Sequence, residues 1–192
     1  MITLRHEKPA DVEARETLLD EAFGEARTRK TSERLRDGRL PAAGLSFIAA
    51  DGRRAIGSAR LWTIVCGNGH PALLLGPVAV ATDCRNRGIG AALVRRAIAA
   101  ARKLGHAAIV LVGDAPYYGR FGFSSEKTGA LWMPGPFEKR RLLALELVAG
   151  ALDGARGMIA ATGRSEPKAD LAALVAHDRR PRRARGGHPR AA

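Results

Sequence analysis

Residues 85–90 are the part of the sequence whose residue types and spacing best suit a chemical task. They read Arg-Asn-Arg-Gly-Ile-Gly and stand between a predicted strand and a predicted helix. Gly88 and Gly90 carry no side chain, so their backbone N–H groups can approach a ligand closely. The first N–H groups of the following helix have no partner within it, and the helix dipole is positive at the same end. With Arg85 and Arg87, this predicts an anion site suited to a diphosphate.

Two other kinds of phosphate-binding loop are excluded by their spacing. A dinucleotide fingerprint needs glycine at position 93, where the chain has Leu93, and an acid at the end of the next strand, whereas Asp114 lies too far along. A P-loop needs Gly-Lys followed by Ser or Thr, which the chain lacks. A lone Gly-x-Gly at a helix start is often only a turn, so the neighbouring elements decide how it is interpreted.

Gly76-Pro77 is the second unusual feature, because it lies inside a predicted strand. Proline cannot donate to the sheet ladder, and glycine within a strand often marks a bulge. We therefore expect strand 72–80 to part from a neighbouring strand and to leave free backbone N–H and C=O groups facing a gap. The structural alternative is an edge strand that tolerates proline, and the nearby diphosphate loop makes it the less favoured interpretation.

The elements that must position these features follow from periodicity and turn signals. Strands are predicted at 2–7, 45–50, 55–66, 72–80, 107–112 and 142–148, with an Asn-Gly hairpin turn at 67–71. Helices are predicted from an Asp11 cap to about Phe23, and at 28–37, 88–104 and 115–120. This order predicts an α+β domain with a mixed sheet. Beyond Gly150 the regularity fades, apart from a short helical pattern at 168–177.

Length and composition bound the class of protein. The chain has 192 residues, of which 46% are hydrophobic, so one folded domain with or without a tail is expected. Two cysteines exclude a disulfide-rich scaffold and a four-cysteine zinc site, and no metal is expected. No apolar run approaches the roughly 20 residues that cross a bilayer. The N-terminus is too polar for a signal peptide. We therefore expect a cytoplasmic protein without membrane contact.

The net charge of +13 suggests an anionic partner. Residues 179–192 carry six arginines, no acid and no apolar face, which predicts a disordered tail. Two interpretations of this Arg-rich tail stay open. It gives weak affinity for nucleic acid or the ribosome, or it reflects an arginine-rich composition in which 26 of the 32 basic residues are arginine.

Segment 75–94, LGPVAVATDCRNRGIGAALV, resembles the acetyl-CoA-binding motif of the GCN5-related N-acetyltransferase (GNAT) family. The family signature Arg/Gln-x-x-Gly-x-Gly/Ala is matched by Arg85, Gly88 and Gly90. Segment 117–123, YYGRFGF, resembles the family's Tyr-x-x-x-Gly-Phe motif. The phrases GDAPYYGRFGF and LALELVAGAL are similar to the bacterial YhbS-like subgroup. The resemblance covers residues 1–150, which predicts a GNAT domain there and a C-terminal extension at 151–192.

The resemblance implies the GNAT fold, a mixed and mostly antiparallel sheet with a bulged central strand flanked by helices. It implies that acetyl-CoA binds between strands 72–80 and 107–112, with its pantetheine on the backbone of Val78 and Val80 and its diphosphate on the amides of residues 85–91. The implied cofactor-binding residues are Val78, Ala79, Val80, Arg85, Asn86, Arg87, Gly88, Ile89, Gly90 and Ala91. A primary amine of a small molecule or protein would attack the thioester directly, in a ternary complex. Dimers are common in the family, so a homodimer is a further expectation.

The residues that would carry this chemistry are few. Tyr118 matches the family's acid position, four residues before Gly122, and would protonate the thiolate; its structural alternative is a core or rim tyrosine. A free N–H near Val78 would hold the oxyanion. The amine must also lose a proton, yet residues 73–80 contain no carboxylate. Relayed water or an acid from the N-terminal half would have to serve. His70 and Glu126 are conceivable bases, although each is more often a surface group.

Two aromatic residues and two other functions complete the predictions. Trp62 and Trp132 either line an acceptor pocket or pack in the core. The leading function is N-acetyl transfer from acetyl-CoA. One alternative is a nucleic-acid- or ribosome-associated protein that binds through the Arg-rich tail, whose affinity would depend strongly on salt. The other is a CoA-binding regulator without turnover. The acceptor cannot be identified from the sequence.

Overall fold

A mixed sheet organises the computed structural model, which describes residues 1–167. The strands are β1 (Ile2–His6), β2 (Ser46–Asp51), β3 (Arg54–Cys66), β4 (His70–Val80), β5 (Ala108–Val112), β6 (Leu131–Trp132), β7 (Leu142–Glu146) and β8 (Gly157–Ala161). The helices are α1 (Val12–Phe23), α2 (Ile89–Lys103) and α3 (Ala115–Gly119). The helix predicted at 168–177 and the Arg-rich tail lie outside the described residues.

The strands follow the order β1-β2-β3-β4-β5-β7. Neighbours along this path are antiparallel except β4 and β5, which are parallel because α2 connects them. β8 pairs antiparallel with the end of β3 and parallel with β6. The predicted α+β fold, with its mixed and mostly antiparallel sheet, is confirmed.

The break predicted at Gly76-Pro77 is present in β4. The register with β3 shifts there, because Ala59 pairs with Val78 whereas Leu61 pairs with Leu75. Arg60 therefore lies opposite the Gly76-Pro77 step, whose peptide bond is cis. On its other side β4 pairs with β5 only at Leu73 and Leu74. Beyond these two pairs the strands separate, as the sequence predicts.

Helix α2 packs its apolar stripe against the sheet. Leu93, Val94, Ala97 and Ala101 are fully buried in the larger of two core clusters, which also contains Phe47, Leu61, Leu73 and Ile109. The second cluster contains Trp62, Val110, Leu131, Leu142 and Ile159. The small residues Ala97 and Ala101 let α2 lie close to the strands. The packing fixes the start of α2, and so the loop that precedes it, relative to the end of β4.

Three local predictions are wrong. Asp11 does not cap α1, because its carboxylate instead accepts hydrogen bonds from the Arg5 guanidinium at 2.6 and 2.7 Å and from the Lys8 N–H. The helix predicted at 28–37 is replaced by two short 3₁₀ helices, Glu25–Arg29 and Thr31–Leu35. Regular structure does not fade at residue 150, because β8 follows it and joins the sheet.

Residues 1–167 contain neither a membrane-spanning helix nor a metal-binding cluster. No helix in this range is long and apolar enough to cross a bilayer. Nor do the described residues contain a cluster of three His, Cys, Asp or Glu side chains arranged to hold a metal ion.

Candidate active site

A cleft opens where β4 and β5 separate. It encloses a cavity of about 450 Å³ between residues 74–78 of β4 and residues 112–118, which run from the end of β5 into α3. Phe23, Lys30 and Ser32 close it from the N-terminal part of the chain. We call this space the β4–β5 cleft. Val78 and Tyr118 both line it.

Alternation along β4 determines which backbone groups face the cleft. The N–H of Ala81 donates to the carbonyl of Ile56 at 2.9 Å, on the β3 side. Pairing with β3 is regular from Val78 to Val80. Successive N–H groups of a strand point to opposite sides, so the N–H of Ala79 also faces β3. Those of Val78 and Val80 face the side where β5 has separated, and they are available to a ligand.

The loop before α2 has the backbone conformation of an anion site. Asn86 has φ 62°, the only positive φ of a non-glycine residue in the described range, and Gly88 has φ 77° as the residue before the helix. Arg85, Asn86, Arg87 and Gly88 are exposed, whereas Ile89 is buried, so Ile89 can offer a ligand only its backbone. The first N–H groups of α2 point out of the helix toward this loop.

Two adjacent tyrosines border the cleft in different ways. The Tyr118 ring packs edge-on against Phe123, and a Cβ added to Gly113 would lie 2.3 Å from Tyr118 Cε2. Burial raises the pKa of the Tyr118 hydroxyl to about 12, so it stays protonated at neutral pH. The Tyr117 hydroxyl lies near the start of α2, because a Cβ added to Gly90 would be 3.0 Å from it. No short-range sequence signal predicts this contact.

Asp114 holds the two tyrosines at the cleft. It is the residue before α3, and its carboxylate accepts a hydrogen bond from the Tyr117 N–H at 3.1 Å. Asp114, four residues before Tyr118, therefore caps the N-terminus of α3. This cap fixes the orientation of the helix that carries both hydroxyls.

A second cavity, of about 720 Å³, lies on the other side of Pro77. We call it the Glu7 cavity. Its lining includes Glu7, Arg15, Ser58, Arg60 and Trp62. Arg27, Glu33, Arg36 and Pro77 border both this cavity and the β4–β5 cleft. The two spaces therefore meet at the break in β4.

Among the ion-paired carboxylates that line the Glu7 cavity, Glu7 is the most buried, with 5% of its side chain exposed. It accepts hydrogen bonds from Arg15 of α1 and from Arg60 of β3. Burial raises the pKa of the Glu7 carboxyl, although Arg15 acts in the opposite direction. No local sequence pattern marks Glu7 as a site residue, because its neighbours come from distant parts of the chain.

The other predicted side chains divide between the two cavities and the surface. Trp62 lines the Glu7 cavity. Trp132 is 55% exposed and packs against Phe137 and Lys139 instead. His70 contacts the carbonyl of Ala151, and Glu126 is exposed. Neither conceivable base lines the cleft or the Glu7 cavity.

The arrangement fits a ligand with an extended, amide-bearing arm and a diphosphate. Its arm would accept hydrogen bonds from the free N–H groups of Val78 and Val80. Its diphosphate would accept hydrogen bonds from the amides at the start of α2. A Cβ at position 90 would lie only 3.0 Å from the Tyr117 hydroxyl, so glycine there leaves more room for a ligand at the start of α2.

Comparisons with known proteins agree with this geometry. A sequence model of the acetyltransferase (GNAT) family matches residues 12–123, more than half of the chain. Curated protein sequences gave no significant match. Among solved structures, the GNAT family N-acetyltransferase YhbS from Escherichia coli, in complex with CoA, is similar at 28% identity and TM-score 0.71. That match covers 83% of this chain and 89% of that one.

Two further structures share the fold. A GNAT family acetyltransferase from Brucella melitensis, in complex with acetyl-CoA, is 23% identical with TM-score 0.59, covering 87% of this chain and 92% of that one. The ribosomal-protein-S18-alanine N-acetyltransferase from Escherichia coli is 19% identical with TM-score 0.52, covering 77% and 95%. At these identities the likeness extends to the fold alone.

Proposed function

The chain belongs to the GNAT acetyltransferase family and is an acetyl-CoA-dependent N-acetyltransferase, and we propose that it acetylates a primary amine of a small molecule or protein by direct attack. In this proposal the β4–β5 cleft holds acetyl-CoA and the Glu7 cavity receives the amine. The observation that carries it is the separation of β4 from β5 immediately before a glycine loop at the start of α2.

The diphosphate would be held by the loop before α2. Backbone amides from Arg85 to Ala91 surround the position, and the helix dipole favours negative charge there. The side chains of Arg85 and Arg87 are exposed on the same loop and add positive charge. The Tyr117 hydroxyl, close to Gly90, is placed to contribute a further hydrogen bond.

The thioester end would lie deeper in the cleft. The free N–H groups of Val78 and Val80 pair with the pantetheine arm, and Ala79 keeps the strand bound to β3 between them. The N–H of Val78 also donates to the carbonyl oxygen that becomes negative when the amine adds. No metal is needed in this scheme, because backbone donors stabilise the charge.

Tyr118 is the proposed acid. Tyr118 lines the cleft, and burial raises the pKa of its hydroxyl to about 12, so the group carries a proton at neutral pH. This hydroxyl can donate a hydrogen bond to the leaving sulfur and transfer its proton as the C–S bond breaks. The YhbS structure, which holds CoA, supports binding of this cofactor by the same fold in this chain.

Calorimetric titration of acetyl-CoA tests the proposal. Gly88→Glu places a side chain and a negative charge on the diphosphate loop, and it should abolish the micromolar-range binding expected of the unaltered protein. Gly105→Glu is the matched control, because Gly105 has φ 78°, close to the 77° of Gly88, and neither has an atom within 4 Å of an added Cβ. Gly105 lies just beyond the opposite end of α2, so this variant should bind normally. Failure of the unaltered protein to bind would overturn the proposal.

Several finer expectations stay predictions. The acceptor, the homodimer, the bacterial origin and the cytoplasmic location are not determined by the fold. The proposed weak contact between nucleic acid and the Arg-rich tail involves residues outside the described range. Filter binding of RNA with and without residues 179–192, across a range of salt concentrations, tests that contact.

A further inference from the structure

Resting on the proposed function, we propose that Glu7 is the base that takes a proton from the acceptor amine, and that Ser58 orients this amine within the Glu7 cavity. The acceptor would then be a primary alkyl amine that arrives as an ammonium ion. Both residues lie outside the strand segment 73–80 and outside the motifs of residues 75–94 and 117–123.

The unpaired hydroxyl of Ser58 indicates that a ligand binds beside it. Ser58 is 1% exposed, and its Oγ has no hydrogen-bond partner among the described residues. Buried polar groups are rarely left unpaired, and each exception in a folded protein calls for a ligand, a water or a functional role. Ser58 lines the Glu7 cavity. Its hydroxyl can accept a hydrogen bond from an amine N–H that enters there.

The position of Ser58 relates it to the break in β4. Ser58 pairs with Ala79, between the two residues whose N–H groups face the cleft. It precedes Arg60 by two residues, so both side chains leave the same face of β3, about 7 Å apart along the strand. Arg60 lies opposite the Gly76-Pro77 step. An amine held by Ser58 is therefore next to the point where the cavity and the cleft meet.

The Glu7 carboxylate retains the capacity to take a proton. Its Oε1 accepts from both Arg15 and Arg60, whereas Oε2 accepts only from Arg60 Nε, at 2.7 Å. A carboxylate offers about four acceptor positions, so one stays open on Oε2. The charged groups that face Glu7 are Arg15 and Glu16 of α1, Arg60 of β3 and Asp11 before α1. Burial raises the pKa of Glu7 by more than Arg15 lowers it, which makes Glu7 a stronger base than an exposed carboxylate.

The protons balance in the following way. The ammonium gives one proton to Glu7, and the neutral nitrogen attacks the thioester carbon. The N–C bond forms and the C–S bond breaks, and sulfur takes a proton from Tyr118. The nitrogen gives up its second proton, which restores Tyr118 through solvent. Glu7 releases the first proton to solvent, so the products are the amide, the CoA thiol and one proton.

Two amines of similar shape separate base catalysis from simple binding. Ethylamine is an ammonium ion at neutral pH, whereas 2,2,2-trifluoroethylamine is largely neutral and needs no base before it attacks. Glu7→Gln keeps the size of the side chain but removes the base. It should lower kcat/KM for ethylamine about 100-fold or more, the usual contribution of a general base, and lower that for trifluoroethylamine much less. Glu126→Gln is the matched control on an exposed glutamate and should change neither rate.

Three further readouts exclude a purely structural role. The inflection that Glu7 gives to the acid side of the pH profile of kcat/KM for ethylamine should disappear in Glu7→Gln, whose kcat/KM should instead follow the neutral fraction of the amine. Glu7→Asp keeps a carboxylate and should retain part of the rate that Glu7→Gln loses. This variant keeps the test valid if Glu7→Gln is poorly folded. Ser58→Ala removes an unpaired hydroxyl, so the melting temperature should not fall, yet KM for ethylamine should rise about tenfold, as expected for one lost hydrogen bond. Calorimetric acetyl-CoA affinity should be unchanged in all of these variants.

The outcomes distinguish this inference from the proposed function. Equal losses for both amines in Glu7→Gln, or no loss, would overturn the role of Glu7. Acetyl-CoA binding without turnover of either amine would overturn the acceptor assignment while leaving the cofactor site intact. Absence of acetyl-CoA binding to the unaltered protein would overturn the proposed function itself.

Discussion

The indole Nε1 of Trp62 donates a hydrogen bond of 2.8 Å to the carbonyl oxygen of Gly76. Gly76 lies in the irregular part of β4, between Leu75 and Val78, where the register with β3 shifts. The Trp62 side chain thus pairs a carbonyl that the backbone ladder leaves out, and it does so from the wall of the Glu7 cavity. This contact connects the shape of that cavity to the break that opens the β4–β5 cleft.

Trp62→Phe should destabilise the fold and disturb both cavities. Phenylalanine keeps an aromatic ring in the core but cannot donate to Gly76, so a half-buried carbonyl loses its partner at a cost of about 0.5–1.5 kcal/mol. Chemical denaturation measures this loss, and calorimetry should show weaker acetyl-CoA binding. Trp132→Phe is the control, because Trp132 is 55% exposed, and its free energy of unfolding should change by about 0.5 kcal/mol or less. Equal effects of the two variants would contradict the role of the Trp62 hydrogen bond.

The local parts of the site could be predicted from sequence, whereas its long-range parts could not. The glycine loop and the Gly76-Pro77 break depend on backbone constraints that a few adjacent residues impose. Glu7 meets Arg60 across 53 positions of the chain, so no short-range spacing indicates the pair. Asp11 shows that a local pattern can also mislead. Its sequence position suits a helix cap, yet its carboxylate accepts a hydrogen bond from Arg5 on β1.

Gly113 keeps space for Tyr118, so Gly113→Ala should impair catalysis more than binding. The added Cβ would lie 2.3 Å from Tyr118 Cε2, a distance that forces the ring to move. Displacing a catalytic group by about 1 Å can lower the rate about 100-fold. Steady-state kinetics should therefore show a large fall in kcat, while calorimetry shows a smaller change in acetyl-CoA affinity. Gly119→Ala is the control on α3, because nothing lies within 4 Å of its added Cβ, and kcat should be preserved.

The proposed acid should titrate far above an ordinary tyrosine. The chain has only two tyrosines, so Tyr117→Phe leaves Tyr118 as the sole contributor to tyrosinate absorbance. Burial is the largest cause of the raised pKa and persists in this variant, whereas the smaller contribution of Tyr117 is lost, so the midpoint should stay above the usual 10.0. The same variant in denaturant should titrate near 10, the reference value for tyrosine. A folded-state midpoint at the reference value would mean that the hydroxyl is solvated and would argue against the proposed environment.

Residues beyond 150 should contribute to the stability of the fold. The sequence predicts a boundary at residue 150 because the family resemblance ends there and the regular pattern fades beyond Gly150. In the structure Ile159 is fully buried, packs in the second core cluster and pairs with Cys66 of β3. Ile159→Ala should therefore cost about 2–5 kcal/mol in the free energy of unfolding, as for other buried aliphatic residues. Met158→Ala alters the neighbouring position, which is 54% exposed, and should cost about 0.5 kcal/mol or less. If both variants unfolded at the same denaturant concentration as the unaltered protein, β8 would be peripheral and the boundary at residue 150 would hold.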